Sequence, residues 1–422
     1  MEDLKGKRLL ILGGKGVMAD MVERARALGV YTVVTDNRPY EVSPAKQIAD
    51  AWYNISFSDI DAMVDLIRRE RIDGVLTGFT DSYLDYYERV CAAAGLPCYG
   101  GKKQFTIATD KSAFKKACVA SGVPVIPGRE VRTLAEAEQE AARHGYPVIL
   151  KPADNSGSRG VIKCMGPEEL AEAFTFAMSY STIGVVILEK FMDCENIAVS
   201  YFAADGEIRL TTTCERRLHI SRETGSSITS FTEYPSRYTD RYLREVNDAV
   251  LDMLHRNGFD NGMIAFQAFV DEKSFYFCEM CFRPSGGHHY ILIEDQNGVD
   301  EMALLIRFAL CGSCRQAWQP ERETPRFPTD CAMVKLIGTP GAKVARITGV
   351  EAVRSRPDVI SVIPRVEVGD TVGADGTTAQ VLATIWYRCG EGKDPRGIAE
   401  EIAGQLRVED EAGTPLGRVS IM

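Results

Sequence analysis

Ile149 to Val161 reads ILKPADNSGSRGV, and the fold turns on how that stretch is read. An apolar run closes on Lys151. Ser156, Gly157, Ser158, Arg159 and Gly160 follow, and VIKC then reads as a second strand. Glycines let backbone N–H groups turn inward and approach an anion; the serines add donors and Arg159 a charge. This is not a Walker A loop, because GK[ST] is absent and a strand, not a helix, comes next. Taken alone, the stretch is either a phosphate cradle or a mobile hairpin tip.

The rest of the chain narrows the choice. Its 422 residues allow about three domains of ~150 residues. Hydrophobic residues make up 45% and charged residues 26%, ordinary for a globular protein with a large core. The net charge of −10 argues against nucleic acid as a partner, since phosphate neutralisation needs clustered Lys and Arg. LLILGG near the start is too short for a secretory h-region and reads as a strand, and no apolar run is long enough to span a membrane. Twelve cysteines, from Cys91 to Cys389, are then expected as reduced, mostly buried thiols of a cytoplasmic protein.

Around the first hundred residues the pattern is strand, helix, strand, helix. KRLLILGG, YTVVTDN and DGVLTGF read as strands; GVMADMVERARALG, DAMVDLIRRERI and YLDYYERVCAAAG read as helices. That alternation predicts a doubly wound parallel sheet. The turn GGKGVM lacks the third glycine of a dinucleotide fingerprint and reads as a tight βα turn. From Phe105 the pattern changes to a helix stopped near Pro124, then the opening stretch, then β-rich hairpins over 197–215 and 263–282. A Pro-rich linker at 319–329 leads to a third, α+β region.

Order along the chain carries the decisive resemblance. TDK at Thr109–Lys111 precedes the loop, LEKFMDCE at Leu188–Glu195 follows it, and Glu279 stands on a late hairpin strand. Two lysines, a glycine hairpin, an acidic segment and a late acid in this order resemble the ATP-grasp superfamily of carboxylate-amine ligases. The first region is similar to the domain that precedes ATP-grasp in purine-pathway ligases and carbamoyl-phosphate-synthase-like proteins. The last resembles that of the L-amino-acid ligase branch. The implied architecture is α/β and α+β: a Rossmann-like parallel sheet over 1–103, an ATP-grasp fold over 104–320 with a lid at about 146–190, and a small α+β domain over 321–422.

The resemblance also implies roles. Lys111 and Lys151 would contact ATP phosphates, and Ser156, Gly157, Ser158 and Gly160 would close over them. Glu189, Lys190, Phe191 and Met192 would form the hinge that reads adenine, and Glu195 would bind the ribose hydroxyls. Catalysis would be positioning and charge neutralisation with Mg²⁺ or Mn²⁺, joining a small-molecule carboxylate to an amine through an acyl phosphate. A homodimer is common in this superfamily.

FYFCEMCFRPSGGHH, Phe275 to His289, admits two readings. Cys278 and Cys281, with Cys311 and Cys314, have zinc-like C-x2-C spacing. Strand alternation, however, predicts Phe275, Phe277, Glu279, Cys281 and Arg283 on one face and Cys278 on the other, which splits the pair. By resemblance, Glu279 is then a metal-holding catalytic acid, with Gln267 opposite it across the hairpin. Arg283, Ser285, Gly286, Gly287 and His288 would form the turn that faces the substrate carboxylate. Two positions depart from the superfamily: Cys281 stands where an Asn is expected and Gln267 where an acid is expected. Magnesium prefers hard oxygen ligands, so metal binding and turnover are where this departure matters. An ATP-binding protein with reduced turnover and a carboxylase-type enzyme are the alternatives.

Overall fold

The computed structural model describes residues 3–154, 160–221, 226–390 and 392–421. Ser156, Gly157 and Ser158 of the expected phosphate loop lie outside the described residues. The four apolar residues Leu9–Leu12 are wholly buried because helices cover both faces of the strand they form. Arg8–Leu12 lies between Tyr31–Thr35 and Gly74–Leu76, with Ala51–Tyr53 outside Tyr31–Thr35, and every pairing is parallel. This is the doubly wound sheet expected from the alternation. A helix from the other end of the central region, Glu301–Cys311, caps it. A Cβ on Gly74 would sit 2.2 Å from the Ala309 carbonyl oxygen, so glycine is what admits that helix so closely.

The β-rich hairpins assemble into one nine-stranded antiparallel sheet. In spatial order it runs Phe275–Phe282, Gly262–Val270, Glu195–Ala204, Glu207–Ile220, Ser227–Tyr234, Cys331–Gly338, Val381–Arg388 and Val359–Pro364, with Gly417–Val419 also pairing Cys331–Gly338. The sheet crosses the linker: Ser227–Tyr234 pairs directly with Cys331–Gly338, so strands of the third region extend the central sheet. A smaller four-stranded sheet comprises Gly128–Val131, Val186–Lys190, Val148–Pro152 and Ile162–Cys164. It buries its own apolar cluster, with Val148, Leu150, Val186 and Leu188 packed under alanines of Leu134–His144 and Leu170–Ser179. Among the described residues no helix is long and apolar enough to cross a membrane.

One expectation about faces is corrected. Gln267 pairs with Glu279, as the hairpin arithmetic required, but Ala268 pairs with Phe277. Cys278 is therefore an extra residue, a β-bulge, and a bulge resets the alternation. Phe275, Phe277, Met280 and Phe282 are buried on the core side, while Cys278, Glu279 and Cys281 are all partly exposed on the other. Phe275 and Phe277 thus do not share a face with Glu279, and parity does not separate Cys278 from Cys281.

Candidate active site

The helix Lys111–Ala120 starts at Asp110, whose carboxylate accepts from the Ala113 N–H at 2.8 Å. That cap fixes the first turn, and Lys111 and Lys115, one turn apart, share a face. Glu189, at the end of Val186–Lys190, lies between them and the opening stretch. Its carboxylate meets Lys151 Nζ at 2.6 Å and Lys115 Nζ at 3.0 Å. Burial opposes the Glu189 charge, but Lys151 and Lys115 outweigh it and hold the carboxyl below its ordinary range. Burial likewise opposes the charge on Lys151, and Glu189, Cys278 and Glu279 raise it above its ordinary value. Lys111 ends lower than an ordinary lysine, because burial and Lys151 outweigh Glu279 and Glu189. Lys111, Lys151, Cys278 and Glu279 are therefore one electrostatic cluster. Lys115 was missed from sequence, although its i, i+4 spacing from Lys111 marks it.

In the expected hinge, the Phe191 ring lies under Lys163 Nζ, 3.7 Å from its centroid, and the Lys190 N–H donates to Pro127 at 2.9 Å. Glu195 is engaged with Arg217 and, at 3.1 Å, with Arg237. Gly160 has φ +74, and a Cβ there would meet the Tyr180 Cβ at 2.6 Å, so the strand after the loop needs glycine at its entry.

In the turn after the bulged strand, Arg283 places Nε and Nη2 on the two oxygens of Asp81, at 2.6 and 2.7 Å. Its fork thus joins the turn to a residue of the first region. His288 is 1% exposed, and both ring nitrogens are taken. Arg365 Nη2 lies 3.1 Å from Nε2, and the Tyr290 hydroxyl lies 2.8 Å from Nδ1. An arginine only donates, so Nε2 accepts and Nδ1 carries the proton. The imidazole then donates to Tyr290, whose hydroxyl donates to Asp20 at 2.8 Å. Burial, Arg365 and Lys335 keep His288 neutral, well below the ordinary histidine range. The direct substrate contact expected of His288 gives way to holding Arg365. Two acids that follow soon after in the chain are also engaged elsewhere: Glu294 with Arg24 at 2.6 Å and Asp295 with Arg388.

Cross-strand register extends this face through the sheet. Asn196, Arg216, Thr232, Met333 and Trp386 are successive partners across five strands, and Lys335 pairs with Thr384 beside them. Directly opposed residues point to the same side. Among the described residues, Arg216 is held by neutral groups, Asn196 Oδ1 at 3.0 Å and Thr229 Oγ1 at 2.6 Å. Lys335 falls to about 7, through burial first and then Arg365 and Arg216. His289 bonds Ser200 Oγ at 2.7 Å and falls to about 4 by burial, Arg216 and Lys335. Lys335 and Arg365 belong to the third region and were not singled out from sequence.

For metal, the donor set is one carboxylate and one amide oxygen, Glu279 and Gln267. Magnesium commonly takes one or two carboxylates and draws further ligands from substrate phosphates, so these residues fit in part. Burial pushes the Cys281 thiol up to about 11, against the pull of Arg283, so it stays protonated and is a poor ligand. Among the described residues no three His, Cys, Asp or Glu side chains converge in a metal-holding group. Cys314 has Asp205 and Arg315 as neighbours, whereas those of Cys278 are Glu279, Lys151 and Glu189.

The chain is similar to several known proteins. Residues 110–315 match the family "Carbamoyl-phosphate synthase L chain, ATP binding domain". The chain is 25% identical over 315 residues to a formate-dependent phosphoribosylglycinamide formyltransferase of Bacillus subtilis, covering 72% of this chain and 78% of that one. It is 24% identical over 394 residues to the carbamoyl phosphate synthase large chain of Thermomicrobium roseum, covering 89% of this chain but 34% of the much longer relative. Its fold is similar to the crystal structure of L-amino acid ligase from Bacillus licheniformis, with TM-score 0.79 and 17% identity over 96% of this chain and 99% of that one.

Proposed function

We propose that the chain is an ATP-grasp protein, an ATP-dependent ligase that joins a carboxylate to an amine through an acyl phosphate. The observation that carries this reading is the cluster of Lys111, Lys151, Cys278 and Glu279, continuous along one sheet face with the cations Arg216 and Lys335. In this reading a nucleotide phosphate end lies beside an acid-binding end.

In this reading Lys111 and Lys151 hold the β- and γ-phosphates, with Glu189 and Lys115 fixing Lys151 in place. Glu189–Met192 line the adenine, Glu195 faces the ribose, and residues 155–160 close over the phosphates. Glu279 and the Gln267 amide oxygen would hold Mg²⁺ or Mn²⁺, which when bound neutralises phosphate charge and polarises the phosphoryl oxygens. The substrate carboxylate, oriented by Arg216 and its neighbours, attacks the γ-phosphorus; the bond to the β-phosphate oxygen breaks and ADP leaves. The amine then attacks the acyl carbon, inorganic phosphate leaves, and the amine loses a proton. No protein nucleophile is needed; the side chains position the reactants and balance charge. The domain limits at 103/104 and 320/321 belong to the same reading, with the lid widened to begin at the strand Gly128–Val131.

The test is ATP with Mg²⁺ or Mn²⁺, hydroxylamine and a panel of acids. A hydroxamate and stoichiometric ADP with one acid are expected. Nucleotide-induced stabilisation with no ADP from any acid would replace this reading by the second one, an ATP-binding protein with reduced turnover. Cys281 and Gln267 in the two ligand positions favour that second reading.

A further inference from the structure

The acid-binding end carries more positive charge than one carboxylate can balance. Three cations converge there without a carboxylate partner among the described residues. Arg216 is held by Asn196 and Thr229, both neutral. Arg365 is held by neutral His288. Lys335 has Arg365 and Arg216 as its electrostatic neighbours, both of like charge. Arg24 shows the ordinary alternative: it is half-buried like the other three, but Asp20, Glu294 and Asp300 surround it. Like charges left together in a partly desolvated site are costly unless an anion comes between them.

Among the described residues, the same face holds buried polar atoms with no hydrogen-bond partner by distance and angle. Thr232 Oγ1, Thr384 Oγ1 and Trp386 Nε1 are buried without a hydrogen-bond partner, on residues at most 2% exposed. Register puts Thr232 beside Arg216, Thr384 beside Lys335 and Trp386 beyond Met333. Buried donors are almost always paired in a finished fold, so each unpaired one calls for an explanation. An anion with several oxygens satisfies them and the cations together. The Asp20–Tyr290–His288 chain fixes the heading of Arg365 without cancelling its charge, which suits a residue built to meet a ligand.

We propose that the acid substrate carries a second anionic group, carboxylate or phosphate, and that Lys335 and Arg365 of the third region bind it while Arg216 orients the carboxylate to be phosphorylated. This rests on the ligase reading for the identity of the site. A monoanionic acid leaves two of the three cations without a counter-charge; a dianion leaves one.

The experiment is calorimetric binding to the full chain in the presence of a non-hydrolysable ATP analogue. Butyrate is compared with succinate, and lactate with its phosphate ester, on wild type, Lys335→Met, Arg365→Met and Arg365→Lys. The dianion of at least one pair is expected to bind about tenfold or more tighter than its monoanion. Lys335→Met and Arg365→Met are expected to erase that ratio, with Arg365→Lys restoring part of it. The pair that shows the effect says whether the second group is a carboxylate or a phosphate. Equal binding within both pairs overturns the proposal, as does a ratio that survives both Met variants. Melting curves confirm that each variant is folded. Hydroxamate formation is scored separately: a monoanion that turns over best leaves the ligase reading standing and removes this one, whereas dianion binding without hydroxamate from any acid does the reverse.

Discussion

Replacing Lys335 by Met should make the unliganded protein more stable, by an amount that depends on pH in a defined direction. The ammonium is lowered from 10.5 to about 7 by burial, Arg365 and Arg216. A lysine whose pKa is lower folded than unfolded destabilises the fold fully below the folded value, and the penalty fades as pH rises toward the unfolded one. Linkage over that interval gives a penalty of about 4–5 kcal/mol at pH 6 and about 2 kcal/mol at pH 9. Methionine keeps most of the apolar stem, so little packing is lost against this gain. His289, at about 4, and His288, lower still, are neutral throughout that range, so neither changes charge while Lys335 titrates. The assay is urea denaturation of wild type and variant at pH 6 and pH 9, read as the difference in midpoint at constant slope. The variant should be more stable at both, with the larger gain at pH 6 by about 2–3 kcal/mol. No gain at pH 6, or an equal gain at both, would refute the claim that Lys335 faces other cations without a counter-ion.

Glu279→Gln is expected to lower ADP production by about a thousandfold while leaving nucleotide-induced stabilisation within a degree or so of wild type, since it removes charge from the phosphoryl-transfer end only. Gln267→Glu adds a carboxylate directly opposite Glu279, and a Mg²⁺ titration of ADP release should show a midpoint lower by about tenfold. Glu189→Gln strands Lys151 and Lys115 in a buried site, and denaturation should register a loss of about 3–5 kcal/mol. Asp81→Asn opens the fork on Arg283; protease protection of the turn at Ser285–Gly287 should fall, with the nucleotide-induced shift kept.

Much of this site was legible because it follows local rules. The strand–loop–strand around Lys151 is written in its apolar run and its glycines, and the pairing of Gln267 with Glu279 follows from where the hairpin turns. The bulge at Cys278 was not legible: FYFCEMCF has no glycine or proline to mark an extra residue, so uniform alternation put Phe277 on the wrong side. The partners of Arg283 and His288 were hidden for another reason. Asp81 and Arg365 lie 202 and 77 positions away in sequence, and neither is marked by any local pattern. Cations of the third region came into view only once cross-strand register carried the face from Gln267 to Trp386.

The strand Ser227–Tyr234 pairs along its last four residues, Phe231 to Tyr234, with Cys331–Gly338. A chain cut at the linker would leave those four residues as a bare edge, ready to pair with a second copy. The seam between the regions is thus a protective lid on a sticky edge as well as a source of ligand-facing charge. A 1–320 fragment should self-associate in light scattering at concentrations where the whole chain stays dispersed. Fusions and truncations at that linker should be planned with a replacement strand or a charged guard residue in place.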